Sequence, residues 1–144
     1  MTVLQPDKDW QKFLSGSLET LVGGTGMRFV DMSPARVSDN AGIYLITGLE
    51  RNLEVPYYVG QSGCLAERLY RNHLMGQPQS NARLKRYLIH AEQCADASEA
   101  KQFLLDHCAA RWIEEPNGRR RTALEGYVSG ILFPKYGLGF EAPT

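Results

Sequence analysis

Two tyrosines, one arginine and one glutamate are the residues of this chain best suited to chemistry. Tyr44 closes the run Gly42-Ile43-Tyr44, and Tyr58 opens the run Tyr58-Val59-Gly60. Arg68 follows Tyr58 by ten residues, and Glu125 stands much further on in an apolar helical pattern. Such a set suits attack on a phosphodiester. Arginine offers a planar fork of donors that matches phosphate and stays charged at any working pH. Glu125 lies one and two turns from Val128 and Leu132, so its face is partly apolar. A carboxylate there is costly unless it is paired or binds a metal. A phenol is a weak base: at a pKa of about 10 it is ionised in about one molecule per thousand at pH 7, a cost of about 4 kcal/mol. Arg68 or a metal must lower that pKa, or the phenol must relay its proton elsewhere. The ordinary alternatives are a core tyrosine with a satisfied hydroxyl and an arginine in a surface ion pair.

Holding these groups in place needs a scaffold. Trp10, Leu14, Leu18 and Leu21 recur at helical spacing, with Asp7 or Asp9 as cap, and Val22 to Gly26 ends that helix. Met27 to Met32 reads as an edge strand. Ile43 to Thr47 and Tyr57 to Gln61 read as two strands of a hairpin, joined by a polar connection from Gly48 to Pro56. On such strands Tyr44 points away from Ile43 and Leu45, and Tyr58 away from Tyr57 and Val59. Gly42 and Gly60 allow close approach of backbone or substrate. After Ser62-Gly63, Leu65, Leu69 and Leu74 support a helix that carries Arg68 and ends near Gly76. Ser80 or Asn81 caps the next helix, with Leu84, Leu88 and Ile89. Ser98 caps another, ending at His107, and Cys108 to Glu114 is a third strand. Pro116-Asn117-Gly118 is a turn. Leu124, Val128, Ile131 and Leu132 mark a last helix that Pro134 stops. The pattern predicts an α+β domain: a small antiparallel β-sheet of about three strands, flanked by helices.

The chain has 144 residues, 43% hydrophobic and 22% charged, which suits one globular domain with a real core. No apolar run reaches the roughly 20 residues of a membrane span, and the first nine residues lack a secretory pattern, so a cytoplasmic protein is expected. Cys64, Cys94 and Cys108 form no CxxC and read as reduced thiols. His90, Cys94, His107 and Cys108 fit no common zinc spacing. Net charge is zero, but its distribution is uneven. Between Ser62 and His90 five bases (Arg68, Arg71, Arg83, Lys85, Arg86) face one acid, Glu67. Arg119, Arg120 and Arg121 form a second basic run. If the two segments meet on one face, they make an electrostatic footprint for a phosphate backbone. Otherwise they are ordinary solvated helix faces.

The two tripeptides on adjacent strands, with Arg68 on the next helix and Glu125 on the last, resemble the GIY-YIG nuclease family. The resemblance covers about Ala41 to Gly137. Glu125 is followed by Val128, Leu132, Pro134 and Tyr136 at offsets similar to those in the incision subunit of bacterial excision repair. It implies a GIY-YIG-like fold and a metal-dependent endonuclease acting on duplex or branched DNA. Water attacks the phosphorus, helped by Tyr44 with Tyr58 in support, while Arg68 holds the phosphate. Glu125 is then the one protein ligand of Mg²⁺, with Mn²⁺ as a substitute. Arg71, Arg83, Lys85, Arg86, Gln61 and Asn81 become the candidate DNA contacts. Residues 1–40 form an N-terminal helix-and-strand extension, 41–137 the nuclease domain and 138–144 a tail. The chain departs from the family pattern in places. The interval between the tripeptides is longer than usual. Gln61 stands where relatives often have Lys, and Gly137 where they place Asn. The family's helical His or Tyr falls four residues after the arginine, where this chain has Asn72. His73 comes one later, turned by about 100° on an α-helix. These departures motivate the alternative of a catalytically weak DNA-binding or assembly module. With few residues outside the domain, specificity must come from loops, a homo-oligomer or a partner chain.

Overall fold

The hairpin that bears both tyrosines forms the middle and one edge of the sheet in the computed structural model, which describes residues 3–137. The expected tail, 138–144, lies outside the described residues. The strands are β1 (Met27–Arg28), β2 (Gly42–Glu50), β3 (Leu53–Ser62) and β4 (Cys108–Glu114), in the order β1-β4-β2-β3, with every pair antiparallel. The helices are α1 (Lys8–Gly23), α2 (Arg83–His90), α3 (Ala97–His107) and α4 (Gly118–Leu132), with a π-helical segment at Glu67–Leu74. The architecture is α+β, as expected, with four strands among the described residues rather than about three. The expected edge strand from Met27 shrinks to two residues because Phe29–Asp31 turn into a 3-10 helix that buries Phe29 completely.

Strand β2 is buried on both faces, and the two faces feed two cores. Ile43, Leu45 and Val59 pack with Leu21 of α1 and Leu124 and Val128 of α4. Tyr44, Ile46 and Tyr58 pack on the opposite face with Leu65, Leu69, Leu84, Leu88 and Leu104. The result is three layers, with the tyrosine face turned toward the π-segment, α2 and α3. Each fully buried leucine contributes about 1.5–3 kcal/mol by transfer from water. The N-terminal extension belongs to this core, since Leu21 is 1% exposed. Arg111 fastens it. Its guanidinium pairs with Glu54 at 2.5 Å and donates to the Val22 and Gly24 carbonyls at the end of α1. A cation there satisfies carbonyls that have no partner within the helix.

The hairpin is longer and its turn tighter than the sequence suggests. The expected connection from Gly48 to Pro56 is mostly strand, and only Arg51 and Asn52 lie between β2 and β3. Both have positive φ, 53° and 64°, as a type I′ hairpin turn requires. Pro56 is tolerated because β3 is an edge strand and the pairing slips beside it. Ile46 faces Tyr58 and Thr47 faces Pro56, leaving Tyr57 as the extra residue of a bulge. Tyr57 covers Gly48 and donates to Glu50 at 2.6 Å.

Helix caps follow side-chain oxygens. Asp7 caps α1 and Asn117 caps α4. Asp96, not Ser98, caps α3, and Glu99 reaches back to the Ala95 N–H at 2.6 Å. Helix α2 begins after Ala82 with no side-chain cap, so neither Ser80 nor Asn81 fills that role. No helix among the described residues is long and apolar enough to cross a membrane.

The turn carries a testable cost. Non-glycine residues in the left-handed region are strained by about 1–2 kcal/mol each, least for Asn. Replacing Arg51 by Asn and Asn52 by Gly together should stabilise the protein by about 1 kcal/mol. Thermal unfolding of the double variant checks this. An unchanged or lower melting temperature would mean that the turn is not strained.

Candidate active site

Tyr44 lies opposite Gly60 across the β2–β3 ladder. Its ring passes directly over that glycine. A Cβ on Gly60 would sit 2.3 Å from the Tyr44 hydroxyl oxygen and 2.4 Å from Cζ. The glycine is therefore required by the tyrosine. Gly42 is confined in a similar way, because a Cβ there would meet the Ile113 carbonyl oxygen at 2.2 Å. Tyr58 stacks beside Tyr44, with ring centres 6.2 Å apart and planes 18° apart.

The π-segment delivers the partners of Tyr44. Arg68 Nε donates to the Tyr44 hydroxyl at 3.1 Å, and His73 Nε2 lies 2.8 Å from the same oxygen. Five residues separate these two groups. On an α-helix they would point roughly 140° apart. A π-helix bonds i to i+5 and brings residues five apart onto one face. Met75 N–H bonds the Tyr70 carbonyl at 3.0 Å in this five-residue pattern. The widening absorbs the one-residue offset that set His73 apart in the sequence. Asn72, at the family's usual position, instead accepts from Asn81 Nδ2 at 3.3 Å. The His73 ring also meets Tyr58 edge-on at 5.1 Å.

Arg68 is held at further points. Nη1 donates to the Asn81 carbonyl at 3.0 Å, and the Tyr58 phenol adds to the support of the guanidinium charge. Burial opposes its charge, but the two phenols outweigh burial, so its pKa moves up. Burial pushes the Tyr44 phenol well above its ordinary range; Tyr58 adds to this and Arg68 only partly offsets it. His73 is fully buried. Burial first, then the charges of Arg68, Arg83 and Lys85, hold its pKa well below the usual histidine range. The ring is therefore neutral. Its Nδ1 has no hydrogen-bond partner among the described residues. In the tautomer with the proton on Nδ1, Nε2 accepts the Tyr44 proton and the phenol oxygen keeps a free lone pair.

Glu125 stands on α4, where the Gln61 backbone N–H favours the charged form of its carboxylate. It makes no ion pair among the described residues. Burial raises its pKa, against the Gln61 N–H and the charges of Arg83 and Arg68. Glu125 in turn acts on the Tyr44 phenol, so the carboxylate and the tyrosine centre share one electrostatic neighbourhood. A half-buried carboxylate with no ion-pair partner among the described residues fits a cation. No group of three or more His, Cys, Asp or Glu arranged for a metal occurs among the described residues.

The expected DNA contacts divide. Arg83 is exposed, and its charge is felt at both His73 and Glu125. Arg71 is also exposed, and Arg86 lies over the Tyr87 ring at 5.9 Å. The other three make contacts within the fold. Lys85 is 3% exposed, because its ammonium donates to the Leu74 and Gly76 carbonyls at 2.5 and 2.9 Å. The Gln61 side chain is tied to α4, donating to Thr122 at 3.0 Å and accepting from Arg121 at 3.3 Å. The Asn81 side chain holds its own loop, bonding Asn72 and the Gln77 N–H. The second basic run is dispersed too. Arg120 stacks over Phe13 at 5.0 Å, and Arg121 donates to the Glu115 and Pro116 carbonyls. Among the described residues a Cβ on Gly137 would meet Pro134, at 3.2 Å.

Two predictions test this geometry. In Gly60→Ala the new methyl should displace the Tyr44 ring, costing about 1–3 kcal/mol and breaking the bond to His73. Chemical denaturation and the His73 ring ¹⁵N shifts read these effects, and an unchanged protein would refute the close packing. The second concerns Glu125, whose folded pKa lies above its unfolded value. Such a carboxyl binds more protons when folded, so stability is lost as pH rises through its folded pKa. Glu125→Gln should therefore be more stable than wild type at neutral pH, with the gap closing below pH about 4. Equal melting temperatures at both pH values would remove the argument that this carboxylate is strained.

Compared with protein-family models, curated proteins and solved structures, the chain matches none.

Proposed function

We propose that the chain is a metal-dependent endonuclease that hydrolyses phosphodiester bonds of DNA, of the GIY-YIG type that its tripeptides resemble. One observation carries the reading: the Tyr44 hydroxyl is joined to Arg68 and His73, beside Tyr58 and in the field of Glu125. Tyr44 accepts the proton of the attacking water as its own proton passes toward His73 Nε2. Arg68 has five N–H donors. Its bonds to Tyr44 and Asn81 leave three for phosphate oxygens. Arg83 supplies a further positive charge at the rim. Glu125 would hold Mg²⁺, or Mn²⁺ in its place, since such ions commonly bind through one or two carboxylates with waters and substrate phosphate. When bound, the ion supplies positive charge to the leaving 3′ oxygen. Specificity would come from loops, a second copy or a partner chain.

A specific observation favours a second reading, a catalytically weak DNA-binding or assembly module. Burial disfavours both the Tyr44 phenolate and the His73 imidazolium. On this reading DNA binds and is not cut.

Incubation with supercoiled plasmid and Mg²⁺ or Mn²⁺ should give nicked or linear product, and EDTA should stop it. Tyr44→Phe, Arg68→Ala and Glu125→Ala should each lower the rate about 10²–10³-fold, as removal of one transition-state contact does. Equal product with and without chelator would sink the metal role. Plasmid that is bound but never cut would establish the second reading.

A further inference from the structure

We propose that Lys85 is a positioning residue for the Tyr44 site: its ammonium closes the end of the π-segment so that Arg68 and His73 reach one hydroxyl together. The proposal rests on the reading of Tyr44 as the reacting centre.

The geometry is specific. Lys85 Nζ donates to the carbonyls of Leu74 and Gly76, at 2.5 and 2.9 Å. Leu74 directly follows His73 and is the last residue of the π-segment. Carbonyls at a helix end lack partners within the helix and carry partial negative charge. A cation aimed at two of them pins the turn where a wide helix would otherwise relax to ordinary α geometry. The loop beyond is tight. A Cβ on Gly76 would lie 2.1 Å from Asn81 Oδ1 and 2.2 Å from the Asn72 carbonyl oxygen. That loop returns to Asn81, whose carbonyl binds Arg68 Nη1 at 3.0 Å. The pinned turn thus touches His73 on one side and Arg68 on the other.

An apolar side chain would fill this space without the cost of burying an ammonium. That cost is visible, because burial first, and then Lys101, lower the Lys85 pKa to about 8. Lys101 of α3 and His73 of the π-segment are the titratable groups that feel this charge. A buried cation kept at such a position fits the placement of the two groups that the turn carries.

The test uses the full chain with ¹⁵N-labelled histidine and arginine. In Lys85→Met, the His73 Nε2 and Arg68 Nε signals should shift from their hydrogen-bonded positions. With DNA affinity held, kcat should fall by up to about 10²-fold, as a misplacement near 1 Å does. Lys101→Met removes a neighbouring charge without touching the carbonyls, and both signals should stay in place. Should Lys85→Met fail to fold, the wild-type protein is titrated from pH 7 to 9.5. The His73 ring signals should then move with the midpoint of the Lys85 ammonium. His73 and Arg68 signals unchanged in folded Lys85→Met, or His73 signals indifferent to Lys85 deprotonation, would overturn the proposal. The resonances need no cleavage. If they respond while wild type cuts no DNA, the positioning role stands and the nuclease reading falls.

Discussion

Tyr44 is held at its hydroxyl by two groups from one segment, Arg68 at 3.1 Å and His73 at 2.8 Å, inside a core where the tyrosine is 1% exposed. An α-helix cannot present residues five apart to one atom. The widened π-turn can, and the rest of the site adapts to it. Gly60 must lack a side chain because the Tyr44 ring needs the space above it. Asn81 turns its carbonyl to Arg68 and its side chain to Asn72. The helix is thus irregular where the chemistry is densest, which is where π-turns commonly occur.

The same burial that fixes the geometry sets the energetics. A phenolate and an imidazolium are both disfavoured here, so the free protein keeps a neutral pair. A neutral pair costs less to bury than an ion pair. Arg68 supports the phenolate and opposes the imidazolium, so it biases where the proton rests. A phosphate anion against Arg68 would weaken both effects, and its negative charge would favour a charged His73. A cation at Glu125 would add support for the phenolate. On the proposed function, proton transfer is therefore coupled to the arrival of substrate and metal.

Much of this was legible from alternation and little of it from register. Period-two patterning set Tyr44 and Tyr58 on the face opposite Ile43, Leu45 and Val59, but it also set Tyr57 opposite Tyr58, and the bulge instead puts Tyr57 in the same core as Tyr58. Helical spacing placed Leu124 and Val128 in the core, yet it also marked Ile131, which is 58% exposed. The pairing of Tyr44 with Gly60 depended on a turn without glycine and a bulge at Pro56, and neither has a clear local signature. His73 was obscured because periodicity arguments assume about 3.6 residues per turn. Lys85 looked like one more surface base in a basic stretch. Its burial depends on carbonyls about ten residues away, which only the folded turn brings together.

Glu125 is the most distant member of the site in sequence, and the sheet explains how it is fixed. Strand β3 is an edge, and an exposed edge presents unpaired N–H and C=O groups. Helix α4 packs on the sheet face, and the residues after it cover part of that edge. The Lys135 and Tyr136 N–H groups donate to the Pro56 and Tyr57 carbonyls at 3.0 and 2.9 Å. At the other end Arg121 binds the Glu115 and Pro116 carbonyls. The helix is therefore anchored on both sides of the carboxylate. That anchoring keeps a half-buried negative charge whose field reaches Tyr44. Because the segment that follows α4 is bonded to the strand that carries Tyr58, the helix that bears Glu125 and the tyrosine pair share one frame.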